Sequence, residues 1–113
     1  MLINILHIIA AIGTIITGLV SLIWPRSVQG FTGLSAAGGR GITEIRAVLG
    51  GFFIALGAAP LILGAPAAYD MLGIAYLVVG GVRTISMFVD KSVVQSNIIS
   101  VVVEIIFGLV LVL

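Results

Sequence analysis

Residues 2–24 run without one formally charged side chain. A helix needs roughly 20 mostly apolar residues, range about 17–25, to cross the hydrocarbon core of a bilayer, and this stretch is long enough. Three more stretches read the same way. Residues 42–63 carry Glu44 and Arg46 in their first turn and Pro60 near their end. Residues 67–87 carry Asp70 near the start and Arg83 in the last turns, and residues 97–113 contain Glu104. The last stretch is the shortest and is expected to finish within or at the edge of the bilayer. The first is expected to be a retained helix and not a cleaved leader. No basic segment precedes it, and its apolar run exceeds the usual 7–15 or so residues of a signal peptide.

Composition matters here because it removes the alternatives. With 61% hydrophobic and 8% charged residues and a mean hydropathy of +1.40, a water-soluble monomer of this size would expose very large apolar patches. Disorder requires the reverse composition. A membrane barrel requires alternating apolar and polar positions, and Ile98-Ile99 and Val101-Val102-Val103 do not alternate. The chain has no cysteine and one histidine, His7, too few for a disulfide framework or a metal shell. A net charge of +1 gives no field for nucleic acid. No cofactor motif is present, and none is expected to be bound.

The basic residues fall on one side. Arg26 and Arg40 lie in loop 25–41 with Arg46 just inside the next span, and Arg83 and Lys91 lie in loop 83–96. The connection Gly64-Ala65-Pro66 and the N-terminal end hold no basic side chain. The bias of Lys and Arg toward cytoplasmic loops predicts both basic loops in the cytoplasm and both termini outside. Trp24 is placed as an interfacial anchor.

Helices associate in lipid through small residues and polar contacts, and each span carries such a stripe at helical spacing. On the first it reads His7, Ala11, Thr14, Gly18, Ser21. On the second, Ala47, Gly51, Ala55 and Ala59 form a ladder continuing from Glu44. On the third it reads Tyr69, Gly73, Tyr76, Gly80, Arg83, and on the fourth Asn97, Ser100, Glu104, Gly108. These faces predict an all-α fold, a single transmembrane domain over residues 1–113 built as an antiparallel four-helix bundle. Short connections make sequential helices neighbours.

An ionisable group at the centre of a spanning helix costs about 2.5–3.5 kcal/mol on insertion scales, so the few present are expected to face inward and pair. Glu44, Arg46, Arg83 and Glu104 lie toward the cytoplasmic side and form a neutral set. Glu44 and Arg46 are two apart and point to different sides. The preferred pairing joins Glu104 to Arg83 or Arg46. His7 and Asp70 share a depth near the outer end and form a second candidate pair, whose plainer reading is an ordinary interfacial hydrogen bond. For the Glu/Arg set the plainer reading is fixing helix register. The functional one is a site for a proton, an ion or a polar headgroup.

Ser35-Ala36-Ala37-Gly38-Gly39-Arg40-Gly41 loosely suggests a phosphate cradle but lacks the preceding strand and the lysine of such loops, so it reads as a connector. No Ser, His and acid share a plausible depth, which disfavours an enzyme; the enzymatic reading that stays open is a membrane-embedded one acting on a lipid or quinone through the Glu/Arg set.

Taken together, Trp24-Pro25 closing the first span, Glu44-Ile45-Arg46 opening the second, Gly50-Gly51, Arg83, the turn Asp90-Lys91 and Glu104 resemble a widespread bacterial family of small four-helix membrane proteins known only as a domain of unknown function. Members tend to have an aromatic residue before the paired glycines and a glycine after the turn aspartate, where this chain has Leu49 and Lys91. The resemblance implies the four-helix topology, the same Glu and Arg positions and a bacterial inner membrane, but no activity. Small multidrug transporters have a similar length but carry their coupling carboxylate in the first span, which here has no acid. The leading expectation is an accessory protein that packs in the bilayer with itself or with other membrane subunits. The alternative is a carrier or receptor for a small molecule, lipid or proton that uses the Glu/Arg set.

Overall fold

A computed structural model describes residues 1–113. The chain folds as helices and their connections, without a strand: α1 (Leu2–Ile23), α2 (Ser27–Thr32), α3 (Gly39–Leu63), α4 (Pro66–Val89) and α5 (Gln95–Val112). All but α2 are long and apolar enough to cross a membrane. These four begin and end within three residues of the expected spans. The short helix α2, with Val28 buried, occupies part of a loop that carried no helix signal.

Local chemistry sets the boundaries. Gly64, at φ +64°, takes the left-handed conformation that ends α3, and Pro66 opens α4 from an extended Ala65. Proline at a first helical position gives up no bonded N–H and arrives with its φ already helical. Gly38, at φ +78°, breaks the chain just before α3, so Gly39, Arg40 and Gly41 of the glycine-rich connector become the first turn of that helix.

The turn between α4 and α5 uses a different residue. Asp90 caps α4, the Ser92 N–H donates to the Met87 carbonyl at 2.9 Å, and Lys91 sits at φ +53°. This is a Schellman cap with lysine where the left-handed residue favours glycine. A side chain in that region costs about 1–2 kcal/mol. Lys91→Gly is therefore expected to raise the stability of the detergent-solubilised protein by about 1 kcal/mol, read as a higher thermal midpoint. A lower midpoint would show that the lysine makes a contact worth more than the strain.

The helix α3 is not uniform. Ile45–Phe52 form a π-helical segment between the α-helical stretches Gly39–Glu44 and Phe53–Leu63. In such a segment hydrogen bonds run between residues five apart, and residues that share a face are spaced more widely than in an α-helix. Pro60, deep in the final stretch, is fully buried. It leaves the Leu56 carbonyl without its helical donor.

The residues pack as two compact units, Ala11–Leu63 and Met1–Ala10 together with Gly64–Leu113. In the first, α1 and α3 run antiparallel and meet backbone to backbone. A Cβ on Gly18 would lie 2.7 Å from the Gly50 carbonyl oxygen, and one on Gly57 would lie 2.5 Å from that of Ala11. Ala11 and Gly18 are seven residues apart on one helix, as are Gly50 and Gly57 on the other, so the close approaches recur every two turns. In the second unit α4 and α5 form an antiparallel hairpin. Gly73 lies against Gly108 and Leu111, Gly80 against Glu104 and Ile105, and Tyr76 meets Phe107 edge to face at 5.5 Å.

Candidate functional site

The most deeply placed charge is Glu104, on the face of α5 that also carries Asn97 and Gly108. It is 9% exposed. Asn97 and Glu104 are seven residues apart, two turns on one face, and the hairpin brings Arg83 of α4 between them. The Arg83 guanidinium donates from Nε to Glu104 Oε1 at 2.8 Å and from Nη2 to Oε2 at 2.9 Å. Its Nη1 donates to Asn97 Oδ1 at 3.1 Å. Two parallel N–H···O bonds of this kind make the strongest pairing available to a carboxylate. The Asn97 amide is oriented in turn by donating from Nδ2 to the Ser92 carbonyl at 2.9 Å, which ties the ion pair to the interhelical turn. No buried side-chain nitrogen or oxygen lacks a hydrogen-bond partner.

Arg83 is the partner of Glu104, one of the two expected from the sequence. Asn97 was placed on the same stripe, but its bridging role was not expected. The four-membered Glu/Arg set does not form as anticipated. Glu44 accepts from Arg40 Nη1 at 2.6 Å, one turn back on its own helix, and both side chains are well exposed. The i,i+4 spacing of Arg40 and Glu44 was the available signal. Arg46 is exposed and makes no ion pair. The two acids thus have separate partners, each within its own unit.

The His7–Asp70 pair is also replaced. His7 Nε2 lies 2.9 Å from the Val110 carbonyl, one of the last four carbonyls of α5, which lack helical donors. The bond places the ring proton on Nε2. The ring stacks on Tyr69 with centroids 5.1 Å apart. Asp70 is exposed and bonds to neither. An orphan main-chain acceptor is a feature that residue types alone do not reveal.

The small residues divide. Ala11, Thr14, Gly18 and Ser21 on α1, Gly73 and Gly80 on α4 and Gly108 on α5 are buried. The ladder on α3 is not: Ala47, Gly51 and Ala55 are exposed, and Ile45, Gly50, Gly57 and Pro60 are buried in their place. Gly50 and Gly57, seven residues apart, share one face, and Ala55, two residues from Gly57 in the α-helical stretch, lies on the opposite side. The step from Ile45 to Gly50 is five residues, which returns near one face when bonds run to residue i+5 but not in an α-helix. The ladder Ala47, Gly51, Ala55 is exposed at every one of these steps, so it marks a different face from Ile45, Gly50 and Gly57.

Two surface grooves have arginine in their walls. One, about 360 Å³, is lined by Val78, Val79, Val82, Arg83, Ser86, Met87, Ser92 and Asn97. The other, about 460 Å³, is lined by Ile23, Trp24, Pro25, Arg26, Ser27, Ile42 and Arg46. No three His, Asp or Glu side chains converge as a metal would require. In comparisons with known proteins, no family model, curated protein or solved structure matches this chain, so the family resemblance stands on its motif residues alone.

Proposed function

We propose that the protein is a multi-pass component of a bacterial inner membrane, with four helices spanning the bilayer as an antiparallel bundle. Its role is to pack there with further copies of itself or with other membrane proteins, without chemistry of its own. Loops 25–41 and 83–96 face the cytoplasm and both termini face outward, as the placement of the five basic residues favours. The observation that carries this reading is the ladder Ala47, Gly51, Ala55, which is exposed on α3 beside exposed Val48 and Phe52. Small residues four apart let a second helix approach closely, and apolar neighbours supply the van der Waals contact that drives association in lipid.

Crosslinking in native membranes, followed by mass measurement in mild detergent, tests this. The wild-type chain is expected as an assembly, and Gly51→Leu with Ala55→Leu is expected to shift it to the 11.6 kDa monomer without loss of helix. A wild-type chain that runs as a monomer with no crosslinked neighbour would sink the proposal.

The carrier reading, through Glu44, Arg46, Arg83 and Glu104, requires a route to the deepest carboxylate. Glu104 is held by two bonds from Arg83, and it does not line the groove beside that arginine. The geometry therefore favours a structural use of the pair.

A further inference from the structure

The two grooves differ in how their cations are balanced. Beside Arg83 the guanidinium is already met by Glu104, so an incoming anion would compete with a buried carboxylate. The groove at the end of α1 is different. Arg26 and Arg46 both line it, together with Trp24, and Ile23, Pro25 and Ile42 form apolar walls. The unit that contains it, Ala11–Leu63, holds three arginines against a single acid, Glu44, and Glu44 is taken by Arg40. Neither Arg26 nor Arg46 forms an ion pair. Two cations without a carboxylate partner line one concave surface, and like charges brought into one groove gain from an anion that both can reach.

We infer that this groove seats the headgroup of an anionic phospholipid. The phosphate oxygens lie between the two guanidinium groups, whose planar forks match phosphate geometry. Trp24, 61% exposed and one residue beyond the end of α1, stands where amphipathic rings collect at the boundary between acyl chains and headgroups. The apolar walls at Ile23 and Ile42 receive the first carbons of the acyl chains. Basic pockets at the cytoplasmic ends of spanning helices bind anionic headgroups by this combination of charge and depth. The inference rests on the membrane reading above and adds the lipid class and its seat.

Trp24 is the only tryptophan, so its fluorescence reports on the groove directly. The full chain is reconstituted in vesicles of phosphatidylcholine containing a minor share of phosphatidylglycerol, with bromine on the acyl chains of one lipid or the other. Quenching is expected to show enrichment of phosphatidylglycerol around Trp24 on the order of tenfold over its share of the vesicle. In Arg26→Gln/Arg46→Gln the enrichment is expected to vanish, while Lys91→Gln, which removes a cation elsewhere, retains it. Equal quenching by both lipids in the wild type, or an unchanged preference in the double variant, overturns the inference. Loss of the preference on adding inorganic phosphate also overturns it, because the groove would then be a site for the free anion. Quenching by neither lipid means that the chain does not enter the bilayer, which is failure of the membrane reading and is recognisably different.

Discussion

An Arg83→Ala variant is expected to lose about 3–5 kcal/mol of folding stability, because it leaves a buried carboxylate without its counter-charge. Glu104 is 9% exposed, and its carboxylate accepts both of its charged bonds from Arg83. Removing the arginine also frees the Asn97 amide oxygen. The desolvation of Glu104 stays while its compensation is gone. Replacing both partners, as Arg83→Leu/Glu104→Leu, removes the uncompensated charge along with the pair, and such replacements are often neutral or stabilising. Glu104→Gln is expected to fall between the two, since an amide oxygen still accepts one guanidinium bond. Reversible unfolding in mixed detergent measures all three. If the double variant proves as unstable as Arg83→Ala, the pair contributes through shape and not through charge, and the account of Glu104 is wrong.

The second large effect belongs to a residue with no side chain. Gly57→Ala is expected to cost about 3 kcal/mol or more, at the upper end of what overpacking usually does. The added carbon would stand 2.5 Å from the Ala11 carbonyl oxygen and 2.9 Å from the Ile15 nitrogen. Those are backbone atoms of α1 and cannot turn away as a side chain can, so the two helices must separate. Gly108→Ala meets Leu77 Cδ2 and Cγ at 2.6 Å, with the nearest backbone atom, the Gly73 carbonyl oxygen, at 3.1 Å; its closest contacts are with a side chain that can repack, and its cost should be smaller. Gly81 has nothing within 4 Å. Gly81→Ala is expected to be neutral or to stabilise by up to about 1 kcal/mol, the ordinary gain of alanine over glycine within a helix. Unfolding midpoints in the order Gly57→Ala, Gly108→Ala, wild type, Gly81→Ala are the expected result. A Gly57→Ala midpoint equal to wild type would mean that α1 and α3 do not touch as described.

Much of this was legible in the sequence because apolar length is a strong signal. The four long helices needed nothing beyond their hydropathy, Gly64 and Pro66. On α1, α4 and α5 a regular α-helical period runs the length of the helix, so a stripe drawn at three- and four-residue steps finds the buried side. On α3 two small-residue stripes run at helical spacing, Ala47-Gly51-Ala55 and Gly50-Gly57, and residue type alone does not say which of them α1 covers. Glu104 and Arg83 were legible as partners because each is rare and in need of one. Glu44 was misjudged for a related reason. Rarity suggested a distant partner, but at an exposed site the nearest cation one turn back suffices, and Arg40 is that cation. His7 shows the remaining gap: its acceptor is a main-chain carbonyl at a helix end, which any residue type supplies.

The pairing of Arg83 with Glu104 has an electrical consequence. A membrane potential does work on a moving charge, about 2.3 kcal/mol per elementary charge for each 100 mV crossed. The cation of α4 and the anion of α5 are joined by two hydrogen bonds, so in the membrane arrangement proposed above they would translate together and their charges would cancel. A shift of the hairpin as a body moves both charges of this pair equally, so the pair adds no net work against the voltage. Motion that pulls α4 past α5 would separate these two charges along the field, and it must first break the bidentate pair. In the membrane arrangement proposed above, Arg83 and Glu104 would thus contribute no gating charge as long as their two hydrogen bonds hold.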